Sequence, residues 1–173
     1  MTTDLTPDLT PDQRRQLLRK LLERQVRHAQ RFPTSFGQRR IWLLDQFDPG
    51  NAVYNMPLAV RLGGRLHVDL FERALQSLVR RHDAMRTRFE GVDGEPEQVV
   101  DTDDRVSLAV IDISGTDSED EVLRRAREEA TRPFRLAEGP LFRATLFRLG
   151  PEDHLLVFVM HHIVSDAWSM SVA

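Results

Sequence analysis

The sequence predicts an α/β (α+β) sandwich, a mixed β-sheet flanked by helices. Three observations carry it. Segments of helical periodicity alternate with short β-branched and aromatic runs, an order that stacks helices on a sheet. The run Leu155-Leu156-Val157-Phe158-Val159 is apolar at every position, so both faces of that strand need cover and it belongs in the middle of the sheet. The chain has 173 residues, 40% hydrophobic and 29% charged, which suits one domain with its own core.

The elements follow in order. Leu5-Thr6-Pro7-Asp8 is repeated as Leu9-Thr10-Pro11-Asp12, and the second copy starts a helix: Thr10 caps, Pro11 takes the first helical position and Gln13 closes a capping box. Leu17, Leu18, Leu21, Leu22 and Val26 then recur at helical spacing opposite Arg14, Arg15, Arg19, Lys20 and Glu23, which predicts an amphipathic helix over 11–28. A second capping box, Ser35-Phe36-Gly37-Gln38, opens a helix that Asp48-Pro49-Gly50 closes. Residues 54–62 alternate as a strand, with Pro57 marking an edge or irregularity. Asp69 with Glu72 caps a third helix, to about His82, and Ser118 with Glu121 a fourth, ending before Pro133. Short strands are expected at Met85–Glu90, Gln98–Asp101 and Val106–Asp112, and longer ones at 141–149 and 154–162. Residues 54–62, 141–149 and 154–162 are expected in one sheet with 154–162 central. After Ser165-Asp166 a further helix begins at Ala167-Trp168-Ser169-Met170, and its early end suggests a piece of a larger protein.

Composition removes several chemistries. There is no cysteine, so disulfides, thiolate metal sites and cysteine nucleophiles are excluded. The net charge of -3 argues against a dedicated nucleic-acid binder. No 18-residue apolar run or basic–apolar leader occurs, so no membrane partner is expected and the cytoplasm is the default compartment. Charge is uneven: residues 1–90 hold 16 cations and 10 acids, residues 91–173 hold 8 and 17.

Three segments are candidates for chemistry. In Met160-His161-His162-Ile163-Val164-Ser165-Asp166-Ala167-Trp168-Ser169, two histidines end a buried strand. Neighbours on a strand point to opposite faces, so one histidine can face a cleft while the other packs or hydrogen-bonds behind it. Asp166 sits where a helix would begin, a favourable place for negative charge. The residues allow a structural histidine pair with a capping aspartate, a general-base histidine with an orienting aspartate, or a metal site from His162, Asp166 and His154; the last lacks a clear third ligand. Arg80-Arg81-His82-Asp83-Ala84-Met85-Arg86-Thr87-Arg88-Phe89 reads as a helix end running into a strand, and Ser35 to Leu44 as a capped core helix.

Taken together, these segments resemble the first three core motifs of the condensation domains of nonribosomal peptide synthetases. Ser35 to Leu44 is similar to SxAQxR(L/M)(W/Y)xL, with Gly37 for Ala and Ile41 for Leu or Met. Arg81 to Phe89 is similar to RHExLRTxF, with Asp83 for Glu and Met85 for Leu. Met160 to Ser169 is similar to MHHxxxDGWS, with Ala167 for Gly, and Tyr54-Asn55-Met56-Pro57 lies between. The resemblance covers about residues 33–173 and implies one half of a V-shaped, chloramphenicol-acetyltransferase-like fold. Residues 33–173 then read as the N-terminal subdomain, without the C-terminal one, and 1–32 as a linker or docking segment.

The resemblance also implies a chemistry. A donor acyl or peptidyl thioester and an acceptor aminoacyl thioester arrive on phosphopantetheine arms of carrier proteins, and the acceptor amine attacks to form an amide. His162 is then the catalytic residue, expected toward the open side with His161 inward. His161, Asp166 and Arg86 support it, with Asp166 expected to pair with Arg86. No metal and no directly bound cofactor are expected. The partners are carrier domains and neighbouring synthetase modules. The isolated chain is expected to be inactive, because the tunnel for the two arms needs both halves. An epimerization domain, another HHxxxD acyltransferase and a non-catalytic docking piece are the alternatives.

Overall fold

The computed structural model describes Thr10, Asp12, Arg15 and residues 29–104, 106–115 and 118–166. Apart from Asp12 and Arg15, the helix expected over 11–28 lies outside the described residues, as does the one expected after Asp166. Among the described residues, ten α-helices and strands follow in chain order: β1 (Gln30–Pro33), α1 (Phe36–Phe47), β2 (Asn55–Gly63), α2 (Val68–Arg81), β3 (Thr87–Val92), β4 (Glu95–Val100), β5 (Leu108–Asp112), α3 (Glu119–Thr131), β6 (Phe142–Gly150) and β7 (Asp153–His161). They form a three-stranded antiparallel sheet, β1-β4-β3, and a four-stranded mixed sheet, β2-β7-β6-β5, in which only β5 and β6 are parallel.

β7 lies between β2 and β6, as its two-sided apolarity requires. Its odd-numbered side chains, Val157 and Val159, join Phe147, Phe134, Phe89 and Trp42 in one core cluster, against which Val122 and Ala126 of α3 pack. Its even-numbered ones, Leu156 and Phe158, pack with Leu146, Ala144, Leu75 and Phe71 beneath α2. The sheet is therefore covered by α2 on one face and by α3 and the three-stranded sheet on the other. β2 is an edge strand. Tyr54 O receives the His162 N–H and Gly64 N donates to Glu152 O, so even-numbered residues of β2 bond to β7 and odd-numbered ones face outward. The missing N–H of Pro57 falls on that outer side and costs the sheet no hydrogen bond.

The Ser35 capping box forms in full: Gln38 N donates to Ser35 Oγ at 3.2 Å and Ser35 N to Gln38 Oε1 at 2.9 Å. Other caps differ from expectation. α2 starts at Val68 with His67 as its N-cap and no side-chain bond to it, so Asp69 lies inside the first turn. Glu72 is drawn elsewhere. It accepts the Leu108 N–H at 3.3 Å while Gln76, one turn on, accepts the Val106 N–H at 3.1 Å, so both serve the start of β5. Ser118 holds the N-cap position of α3 without capping through its side chain. Glu121 instead pairs with Arg124 and Arg125, whose hydrogen bonds pull its carboxyl down to about 2. Met85 falls in a 3-10 turn, Asp83–Arg86, because the chain leaving α2 must turn before β3 begins at Thr87. β1 has no sequence counterpart among the expected strands; its four residues are all exposed and pair with Glu97–Val100 of β4.

Candidate functional site

The two histidines sit where β7 ends. His161 is its last residue and is only 3% exposed, whereas His162 begins the following turn and is exposed. The His161 ring lies between aromatic neighbours, with Phe134 edge-on at 6.0 Å and Tyr54 tilted at 6.1 Å between ring centroids. Its backbone N–H donates to Leu141 O, and its Nδ1 accepts the Ile163 N–H at 3.2 Å. An Nδ1 that accepts carries no proton, so the neutral ring holds its hydrogen on Nε2. Burial, and secondarily the neighbouring His162, push the His161 pKa down to about 4. His161 is thus neutral at physiological pH.

His162 has the opposite arrangement. Its Nδ1 lies 2.8 Å from Ser165 O. A carbonyl only accepts, so Nδ1 is the protonated nitrogen and Nε2 of the neutral ring keeps its lone pair. The turn that returns Ser165 to the ring is closed by Val164 N donating to His161 O, and Ser165 is itself buried. The result is an exposed imidazole, fixed in tautomer by a backbone carbonyl, with an unprotonated nitrogen at its outer end.

The other two motifs meet this turn. Gln38, having closed the capping box of α1, uses its side-chain amide to reach Ile163 O at 3.3 Å and Gln98 Oε1 at 2.9 Å. The first motif is thereby tied to the residue after His162. From the second, Met85 packs with Met160, Phe142 and Val79, under the end of β7. Arg86 is close by but does not make the expected contact with Asp166. Its guanidinium donates to Asp101 O at 2.6 Å and Val79 O at 3.3 Å and pairs with Asp83. The reason is local: Arg86 ends the 3-10 turn that Asp83 begins, so the two are i,i+3 partners, and the last carbonyls of α2 lie within reach. Arg86 fastens α2 to the end of β4. Asp166 is exposed and engaged in interactions of its own.

Four residues at the site went unremarked as site residues in the sequence: Gln98, Tyr54, Phe134 and Arg143. Tyr54 and Phe134 flank His161, Gln98 holds Gln38, and the Arg143 guanidinium lies 4.1 Å from the Phe134 ring centroid. Only Tyr54 carried a signal, the Tyr54-Asn55-Met56-Pro57 string. A cleft of about 790 Å³ between Trp42, Asp45 and Gly50 on one side and Pro133 to Glu138 on the other shares Phe134 with this site, but neither histidine lines it. Among the described residues no three His, Asp or Glu side chains converge on a point where a metal would bind, and His154 lies at the far end of β7.

A family model described as Condensation domain matches residues 28–173. A linear gramicidin synthase polypeptide of Brevibacillus parabrevis is 43% identical over 150 residues, which is 85% of this chain and 2% of that protein. Cyclosporin synthetase of Tolypocladium inflatum is 44% identical over 138 residues, 80% of this chain and 1% of that protein. Among solved structures, the starter condensation domain of rhizomide synthetase superposes with a TM-score of 0.76 at 26% identity, over 83% of this chain and 35% of that one. The first condensation domain of the calcium-dependent antibiotic synthetase, in complex with a substrate analogue, gives 0.74 at 30% identity over the same shares.

Proposed function

The chain belongs to the condensation-domain family, and on that premise we propose that it supplies the N-terminal half of a site that joins a donor acyl or peptidyl thioester to an acceptor amine. The observation that carries this reading is the pairing of His162 Nδ1 with Ser165 O, which leaves Nε2 as an exposed proton acceptor. The donor and acceptor arrive as thioesters on phosphopantetheine arms of carrier domains, the acceptor amine attacks the donor carbonyl, the C–S bond breaks and a thiol leaves. His162 Nε2 takes the proton shed by the amine or holds the amine by hydrogen bond. The imidazolium formed in the first case remains bonded to the Ser165 carbonyl. Proton acceptance of this kind is worth about 10²–10⁴-fold, so orientation of the two arms supplies much of the rest. His161, neutral and buried, supports the turn, and Arg86 acts at one remove by fastening α2. Asp166 holds the loop beyond His162. The chain spans about a third of the solved condensation-domain chains it matches, and on this reading it supplies only part of the tunnel in which the two arms meet.

The test uses the full synthetase polypeptide with loaded donor and acceptor carriers. His162→Ala is expected to lower amide formation at least about 10²-fold with an unchanged circular dichroism spectrum, and the 173-residue chain by itself to give no turnover. A folded His162→Ala enzyme that condenses at a near-normal rate would remove His162 from the chemistry.

A further inference from the structure

Asn55 and Arg143 stand on different strands, one at the start of β2 and one near the start of β6, yet both reach the C-terminal end of α3. The Asn55 side-chain amide donates to Ala130 O at 2.8 Å and to Arg132 O at 3.0 Å. Arg143 donates to Glu129 O from Nε at 3.2 Å and from Nη2 at 2.8 Å, and from Nη2 to Arg132 O as well. A helix leaves its last carbonyls without internal donors. α3 has neither a terminal glycine nor a basic side chain in its last turn to meet them, because Pro133 holds Arg132 in extended backbone. Two side chains from the sheet take that role. Burial lowers the Arg143 pKa to about 10, so it is still a cation at neutral pH, set against the negative end of the helix. Asn55 Oδ1 is buried without a partner. The two carbonyls dictate which end of the amide faces them, and the unmatched oxygen is what that orientation costs.

The anchor points of this pair are also those of the histidines. Tyr54, next to Asn55, receives the His162 N–H on its carbonyl at 2.8 Å, and its ring lies against His161. Asn55 is itself the register partner of His161. Leu141, two residues before Arg143, accepts the His161 N–H. Phe134, which Arg143 covers, meets the His161 ring edge to face. These contacts from β2, from β6 and from the loop after α3 each lie within two residues of the carbonyls, the amide or the guanidinium just described.

We infer that Asn55 and Arg143 are positioning residues for His162, a half-buried clamp that draws the starts of β2 and β6 onto the end of α3 and so fixes the turn in which His162 bonds to Ser165. The inference rests on the reading of His162 as the proton acceptor. Loosening the clamp lets the turn relax, the Nδ1–carbonyl bond lengthens, and the ring samples the other tautomer.

The measurement is ¹⁵N and ¹³C histidine NMR on the 173-residue chain, recording the His162 tautomer and titration midpoint. Asn55→Ala and Arg143→Lys are compared with wild type and with Leu146→Ala, a core truncation on the opposite face of the sheet. Lysine keeps the charge but cannot reproduce the planar stacking and forked donors. Both clamp variants are expected to lower the share of His162 protonated at Nδ1 and to move its midpoint, while Leu146→Ala, also destabilised, leaves both in place. An unchanged His162 in the clamp variants, or an equal change in Leu146→Ala, overturns the inference. If Asn55→Ala does not fold, Arg143→Lys decides. The condensation assay of His162→Ala is independent: loss of activity there with an unmoved His162 spectrum here keeps the function and discards the clamp.

Discussion

The four-stranded sheet is covered on both faces by apolar side chains, whereas the three-stranded sheet turns a ladder of charges to solvent. In the first, Phe147, Leu146, Val157 and Val159 are each at most 1% exposed. In the second, Arg31 reaches Glu90 at 2.5 Å and Glu97 at 3.1 Å, and Arg88 pairs with Glu90 and Asp101. Glu90 and Glu97 stand directly opposite each other across β3 and β4, and Arg31 and Arg88 relieve that like-charge contact. Val99, fully buried, lies across from both Arg31 and Arg88, so their aliphatic stems shield it while their charged ends stay wet. The contrast separates two tasks. The sheet that carries the histidines needs a register that cannot slip, since a one-residue shift of β7 would exchange His161 and His162 between inside and outside. The charged sheet needs only to lie over the core through Phe89.

The comparison predicts a steep difference in sensitivity. Phe147→Ala, in the apolar sheet, is expected to cost about 3–5 kcal/mol, measured by urea denaturation followed by circular dichroism. A loss as small as that of a surface substitution would mean the sheet is not held by its core.

An intermediate effect falls on His161. Its folded pKa near 4 lies below the unfolded value near 6.5, so the unfolded chain binds the proton first on acidification. Stability is therefore complete above about pH 6.5 and declines as pH falls toward 4, by on the order of 3 kcal/mol at most. His161→Gln should flatten that part of the pH profile. An unchanged slope in the variant would assign the acid sensitivity to other groups.

The smallest effect belongs to the charged ladder. Glu90→Gln removes one carboxylate shared by Arg31 and Arg88, both partly exposed, and exposed pairs contribute little. The denaturation midpoint should shift only slightly, and the difference should vanish in about 1 M salt, where charges are screened beyond about 3 Å. A loss approaching that of Phe147→Ala would break the distinction between the two sheets.

Which parts were legible follows from the range of the interactions. The central place of β7 was readable because two-sided burial writes itself into consecutive residues. The Ser35–Gln38 box was readable because its partners are three residues apart. β1 was not, since four exposed residues bear no period, and its partner strand lies far along the chain. The Asp69 cap failed because Glu72 had a better use at Leu108 N, a contact across 36 residues. Arg86 was placed near the right turn by its motif, but its nearest acceptors, Asp83 and the ends of α2 and β4, outcompete Asp166. Asn55 and Arg143 bond to backbone carbonyls, which every residue possesses, so nothing in the sequence of α3 marks them as targets.

The bonds from Glu72 and Gln76 to the start of β5 have a consequence for how the sheet can grow. Even-numbered residues of β5 face away from β6, and a foreign strand would begin its pairing there. A helix side chain already sits at Leu108, imitating the carbonyl row of a neighbouring strand. That flank is sealed at its first rung from within the molecule. On the opposite flank β2 offers the outward N–H groups of Ala59, Arg61 and Gly63 but none at Pro57, so an added strand would find its foothold only along the half of β2 remote from the histidines. The sheet is thus a one-sided template, open where the site is not.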